Sequence, residues 1–313
     1  MSLTFMEKLI EQLKKQLLSL DESDIKNKAL RSELTQLIAD IQQEAYKKLE
    51  PGDKVYLARH PLRPTAKDYI DTLFTDFIEM HGDRCYGDDQ SIVGGIGCFC
   101  GMPVTIIAQV KGKTLEENMK HNFGMPHPEG YRKTLRLARQ AEKFNRPIIT
   151  FIDTPGAYPG IGAEERGQGS AIANCLMTFM ELSVPIIAVV IGEGGSGGAL
   201  ALGVADRVMM LEHSIYSVLS PEGFASILWK DSSRAKEAAK LMKLTAQDLY
   251  QFGVIDIVIA EPAGGIHTQV ELVMTQLKKV LHKELKRLIH QEKNILLQRR
   301  YEKFRNKATP NIN

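Results

Sequence analysis

Two β-branched runs, Ile148–Asp153 (IITFID) and Ile186–Ile191 (IIAVVI), each pass directly into glycine-rich sequence and then into a helix-forming stretch. Runs this short and apolar suit strands buried on both faces, an environment that parallel sheets with helical crossovers provide. The neighbouring chain keeps the alternation. Ile92–Phe99 and Val104–Val110 are strand-like and joined by a turn at Cys100-Gly101, and Gly130–Phe144 is helical until Pro147 resets the chain. Ile172, Cys175, Leu176 and Phe179 share one face of a helix that ends before Pro185. Further strands are expected at Arg207–Leu211, Ile215–Leu219 and Val254–Ile259. A short helix, Thr245–Phe252, is started by Thr245 and stopped by Gly253. This alternation defines an α/β protein.

The two ends read differently. Leu9, Leu13, Leu17 and Leu20 recur at helical spacing, as do Leu30, Leu34, Leu37, Ile38 and Ile41, with a turn expected at Asp21–Lys26. This predicts an N-terminal helical hairpin over residues 1–56, facing a partner and closed by Pro51-Gly52. Arg59 to Pro64 is a linker whose two prolines helix cannot cross. The central domain is expected over 57–265. Residues 266–313 form a C-terminal helix and tail, with one long basic helix over 268–306 whose Leu277, Leu281, Leu285 and Leu288 face a partner.

Charge excludes some functions. The 40 basic and 38 acidic residues leave a formal net charge of +2, so bulk charge implies no nucleic acid. The first residues are charged throughout and lack an apolar signal core, and the longest apolar runs are too short to span a bilayer. A soluble, cytoplasmic chain is expected, with no membrane. The four cysteines, Cys85, Cys98, Cys100 and Cys175, include a C-x-C but no second pair to complete a zinc site, and read as reduced, buried thiols. His121, His127 and His213 have no metal-binding spacing.

The segment Gly192–Gly198 (GEGGSGG) matches more than one motif. Gly192, Gly194 and Gly197 satisfy G-x-G-x-x-G, with Glu212 twenty residues after Gly192, but the helix between, about Gly198 to Ala205, is only roughly two turns long. Gly194-Gly195-Ser196-Gly197-Gly198 also fits the nucleophile elbow G-x-S-x-G, with Asp256 and His267 following in the required order. A Walker loop ending at Gly112-Lys113-Thr114 fails, because Ile107 stands where its first glycine belongs. The fourth reading uses the glycines as backbone donors. Glycine amides at a helix start converge on an oxyanion without side-chain interference. A second such segment, Asp153–Gly160 (DTPGAYPG), follows the other buried strand about 41 residues earlier. Two loops on neighbouring parallel strands, each giving one N–H, suit enolate or related oxyanion chemistry on a thioester. The plain alternative is that both are simply tight turns.

At these residues the chain resembles a known family. Ile149–Gly160, the helix start Gly162–Gln168, Val190–Leu200 and Tyr216–Gly223 resemble the alpha carboxyltransferase subunits of bacterial acetyl-CoA carboxylases. So do Leu57–Pro61, Asn122–Met125 and Pro128–Lys133, and the matches run in order over about residues 57–265. The resemblance implies a crotonase-like (ClpP/crotonase) fold of stacked ββα units and a biotin-dependent carboxyltransferase that forms malonyl-CoA for fatty acid synthesis. Its implied substrates are acetyl-CoA and carboxybiotin, the latter on a separate biotin carboxyl carrier protein. Its implied partners are a zinc-ribbon beta subunit, in an alpha2beta2 complex, and biotin carboxylase, the component that uses ATP. No zinc is implied for this chain. By carry-over, the Gly197 and Gly198 amides are the expected donors to the biotin ureido oxygen, and Gly156 and Ala157 the second-loop candidates. Lys111, Arg132 and Lys133 are expected to meet coenzyme A phosphates or an acidic partner surface, or else to be solvated. Lys113 and Lys120 share that expectation. Asp153, Glu164, Glu165 and Arg166 are expected to form a structural ion network. A stand-alone crotonase-type acyl-CoA hydratase or decarboxylase is the competing activity.

Overall fold

The computed structural model describes residues 3–20 and 25–306. Helices α1 (Leu3–Ser19) and α2 (Ile25–Lys47) pack on each other as the expected hairpin; most of its expected turn, residues 21–24, lies outside the described residues. Pro51 ends nothing but begins α3 (Pro51–Ala58), where its missing N–H costs no helix bond. The linker follows, then α4 (Ala66–Leu73) and β1 (Thr75–Glu79), an edge strand the sequence pattern did not announce.

Strands β2 (Ile92–Phe99) and β3 (Met102–Gln109) form a hairpin whose corner residues, Cys100 and Gly101, both take positive φ, 50° and 82°, as a tight primed turn demands. Then come α5 (Leu115–Lys120), α6 (Pro128–Lys143), β4 (Ile148–Thr154), α7 (Ile161–Glu165) and α8 (Gln168–Glu181). Next are β5 (Ile186–Gly195), α9 (Ser196–Gly203), β6 (Arg207–Leu211) and β7 (Ile215–Ser217). Helices α10 (Pro221–Trp229), α11 (Ala235–Met242) and α12 (Ala246–Gln251), strand β8 (Ile257–Ile259), and helices α13 (Val270–Ile289) and α14 (Lys293–Asn306) complete the order. Thr245 caps α12 through its hydroxyl, as expected.

The sheet runs β1-β2-β3-β4-β5-β6-β8. The first two pairings are antiparallel and the rest parallel. Strand β5 is the pivot. Its first half pairs with β6, its last three residues with β7, and both halves with β4. One apolar cluster covers each face of the sheet: α6, α8 and α9 lie on one side, and α4 and α13 on the other.

Three expectations are corrected here. The C-terminal segment is two helices, not one. The leucines of α13 (Leu277, Leu281, Leu285, Leu288) face the chain's own sheet, buried in the apolar cluster that also holds Ile149, Val189 and Met209 rather than open to a partner. Helix α14 is pinned by Arg300, whose fully buried guanidinium holds both Asp206 oxygens at 2.8 Å and the carbonyls of Phe179, Leu182 and Val184. Of the cysteines only Cys175 is buried; Cys85 and Cys100 are exposed. No helix among the described residues is long and apolar enough to cross a membrane.

Candidate active site

The glycine segment is not a loop. Strand β5 continues through Gly192, Glu193 and Gly194 to Gly195, and α9 begins at the next residue. At Gly195 and Gly198 the neighbouring backbone is too close for a side chain, and at Gly192 and Gly194 the Asp153 carboxylate and the Tyr216 ring fill the space. A Cβ on Gly195 would lie 2.1 Å from the Pro155 carbonyl oxygen, and one on Gly198 would lie 2.7 Å from both the Ala157 nitrogen and the Gly156 carbonyl carbon. The pairing of β4 with β5 explains the approach. Thr154 stands opposite Gly194, so the segment leaving β4 crosses the start of α9. Thus the two strand-end segments touch, backbone to backbone, at Gly198.

The amides at this junction differ. The N–H of Gly156 donates to its neighbour's hydroxyl, Thr154 Oγ1, at 3.1 Å, whereas the Ala157 N–H has no hydrogen bond among the described residues. Helix α9 has no side-chain cap, so its first-turn amides, Ser196 to Gly198, lack acceptors from the helix ladder. Gly198 is buried; Gly197, Gly156 and Ala157 are half-buried.

Beside the junction runs a chain of charges. Lys111 Nζ lies 2.9 Å from Asp153 and 2.8 Å from Glu193; Glu193 also accepts from Arg59 at 2.6 Å, and Arg59 reaches on to Glu222 at 2.7 Å. Burial alone would lower the Lys111 pKa, but Asp153 and Glu193 outweigh it and hold the ammonium above the usual lysine value. Burial likewise pushes Glu193 up, and Lys111 and Arg59 more than offset this, keeping it ionised. With Pro155, Phe123 and Lys113, four of these residues, Arg59, Lys111, Asp153 and Glu193, line a cavity of ≈ 350 Å³.

The structure separates several residues expected together. Lys133 is fully buried, its ammonium on Asp88 (2.6 Å) and the Asp89 carbonyl (2.8 Å), so no phosphate can reach it in this arrangement. Arg132 is paired with Asp83 at 2.7 Å, and Lys111 is spent on the carboxylates above. The expected network of Asp153, Glu164, Glu165 and Arg166 does not form. Asp153 belongs to Lys111, Arg166 pairs with Glu129 at 2.7 Å, and Glu164 and Glu165 make no ion pair among the described residues. Arg59, Glu193 and Glu222 were missed, although a lone charge in the apolar run of β5 is a signal that a buried partner exists.

The nucleophile-elbow reading gains one feature and loses its triad. Ser196 is exposed and takes φ +52°, the strained conformation such an elbow needs. However, Asp256 is held by Lys303 and by the Val208 N–H, and His267 stacks on His60 with ring centroids 3.9 Å apart. The dinucleotide reading fails on length, since α9 has 8 residues, and on Glu212, which accepts the Glu261 N–H at 2.9 Å.

Residues 2–308 match the family described as acetyl co-enzyme A carboxylase carboxyltransferase-like. The chain belongs to this family. It is 58% identical over 304 residues, 96% of either chain, to the acetyl-coenzyme A carboxylase carboxyl transferase subunit alpha of Alkaliphilus oremlandii. With the protein of the same name from a Geobacillus strain the identity is 54% over 303 residues, 96% of this chain and 93% of that one. Among solved structures, a Pseudomonas malonate decarboxylase hetero-dimer superposes with a TM-score of 0.57 at 15% identity, covering 71% of this chain and 91% of that one. A transcarboxylase 12S chain gives 0.54 at 24% identity over 68% of this chain, which spans 41% of the transcarboxylase. At such identities these two establish the fold, which is crotonase-like. The names of the two relatives do not favour a stand-alone hydratase or decarboxylase.

Proposed function

We propose that this chain is the alpha half of an acetyl-CoA carboxylase carboxyltransferase, which with a beta subunit moves the carboxyl group of carboxybiotin to acetyl-CoA. The observation that carries the chemistry is the backbone contact at Gly198, where the unpartnered Ala157 amide meets the uncapped start of α9. Loss of CO2 from carboxybiotin leaves negative charge on the ureido oxygen. Donors already in place gain most from charge that appears only during reaction. The amides of Gly197 and Gly198 take that oxygen, and the second segment gives its donor through Ala157 rather than Gly156, whose N–H Thr154 already occupies. The biotin anion then removes a proton from the acetyl methyl group, and the enolate attacks CO2. No side-chain acid or base is required.

Lys111 supports this reading as a structural cation. It holds Asp153, at the end of β4, to Glu193, near the end of β5, and so keeps the two junction segments in register. Arg132, half-exposed but paired, is a weaker substrate contact than its position in sequence suggests. The N-terminal hairpin, whose Phe5, Leu18, Leu30 and Leu37 are exposed, is the face offered to a partner. The complex is alpha2beta2, cytoplasmic, and served by a biotin carboxyl carrier protein and biotin carboxylase.

The test is reconstitution. Purified alone, the chain is expected to show no malonyl-CoA-dependent carboxylation of free biotin, and to gain it with a zinc-ribbon beta partner. Robust carboxyl transfer by the chain alone, or turnover of an enoyl thioester without the partner, would overturn the assignment.

A further inference from the structure

Beneath the junction, two buried polar side chains meet Gly198, and each lacks one hydrogen bond. Tyr131, on α6, is fully buried in the apolar cluster that also holds Ala138, Cys175 and Ala199, and its hydroxyl has no partner among the described residues. That oxygen lies 3.1 Å from where a Cβ on Gly198 would sit. Gln109, the last residue of β3, is also fully buried. Its Nε2 donates to the Gly198 carbonyl at 2.7 Å, while its Oε1 accepts nothing among the described residues.

The two deficits are complementary. A phenol O–H is a donor in want of an acceptor, and the amide oxygen is an acceptor in want of a donor. Phenylalanine would fill the same apolar space at position 131 without burying an unpaired hydroxyl, and leucine or methionine would do so at 109. Both side chains meet Gly198, one of the two glycines whose backbone the second segment touches. Burial holds the Tyr131 hydroxyl protonated, with its pKa well above the ordinary tyrosine value, so it stays a donor at every working pH.

We propose that Tyr131 and Gln109 are positioning residues of the oxyanion junction. Linked through one buried water, they hold the Gly198 peptide against the Ala157 amide so that both segments aim at one oxygen. Neither side chain touches substrate; both act through Gly198. The proposal rests on the reading of this junction as the oxyanion hole.

The experiment uses Tyr131→Phe, Gln109→Met and the double variant, each as the full chain assembled with its beta partner. Backbone hydrogen exchange is followed in peptides covering residues 156–158 and 197–199. Each single variant is expected to exchange there about tenfold faster, the double variant no faster still, as a shared network requires. In malonyl-CoA-dependent carboxylation of free biotin, kcat is expected to fall about tenfold in Tyr131→Phe while KM for malonyl-CoA stays within about twofold. The melting temperature should hold or rise, because an unpaired hydroxyl has been removed. Unchanged exchange in both peptides overturns the proposal, as do additive effects in the double variant or a loss of kcat that only tracks a lower melting temperature. If the wild-type complex transfers no carboxyl group while Tyr131→Phe still loosens both peptides, the positioning role stands and the carboxyltransferase reading falls.

Discussion

The two strands that deliver the junction end in different ways. Strand β5 passes into α9 without a connecting residue, whereas β4 leads through Pro155 to Gly160 before α7 begins. On the β5 side, Gly195 and Gly198 are fixed by contact, since any side chain would strike the other segment's backbone. On the β4 side, Gly156 has nothing within 4 Å of where its Cβ would be, but its φ of +152° suits few other residues. One glycine pair is required by packing, the other glycine by backbone conformation. The same residue type therefore reports two different constraints, and substitutions separate them.

The largest effect is expected from Gly198→Val. The branched side chain would drive the start of α9 away from Ala157, separating the amides proposed to share one oxygen. Loss of one well-placed oxyanion donor costs about a hundred- to a thousandfold in rate, and carboxyl transfer by the assembled enzyme should fall by at least that range. The measurement needs a check that the variant still folds and binds its beta partner, because overpacking alone costs about 1–3 kcal/mol. A folded, assembled Gly198→Val enzyme with near-normal kcat would remove the junction from the mechanism.

Gly156→Ala should be milder. The added methyl meets open space, so the penalty is conformational strain of about 1–3 kcal/mol, felt mainly as a shift of the neighbouring Ala157 amide. A fall in kcat of roughly tenfold, with a small drop in melting temperature, is expected. If Gly156→Ala proved as damaging as Gly198→Val, conformation rather than contact would govern both sides, and the contrast drawn here would collapse.

Ser196→Ala is expected to change least, by less than about threefold, since the hydroxyl has no part in the proposed mechanism and neither Asp256 nor His267 is free to serve it. Steady-state carboxyl transfer by a folded, assembled Ser196→Ala enzyme decides the matter. A dead enzyme would revive the nucleophile elbow that the +52° φ of Ser196 superficially supports.

Much of this was legible before the fold was known, because strands, turns and caps are local. The runs at Ile148 and Ile186 are adjacent parallel strands, Cys100-Gly101 is a primed turn, and Thr245 caps its helix. Three things were not legible. Leucines spaced along α13 and along α1 and α2 look alike in sequence. Yet Leu281 and Leu285 are fully buried against the sheet, while Leu30 and Leu37 remain exposed. Periodicity reveals that a helix has an apolar face, not which surface covers it. Lys111 and Lys133 sit in stretches that look solvated, and only long-range neighbours, Asp153, Glu193 and Asp88, reveal them as buried ion pairs. The glycines of β5 looked like a loop because glycine serves close packing and turning equally well.

The sequence by itself determined the α/β alternation and the presence of two neighbouring parallel strands that each end in glycine-bearing sequence. Those features follow from side-chain shape, period and short-range backbone preference, which act within a few residues. Only the tertiary structure decided that β5 runs through its glycines to Gly195, that Ala157 rather than Gly156 has the free amide, and that Tyr131 and Gln109 stand behind Gly198. These depend on how closely two backbones approach across the sheet, a distance set by the packing of the whole molecule and by no segment of it alone.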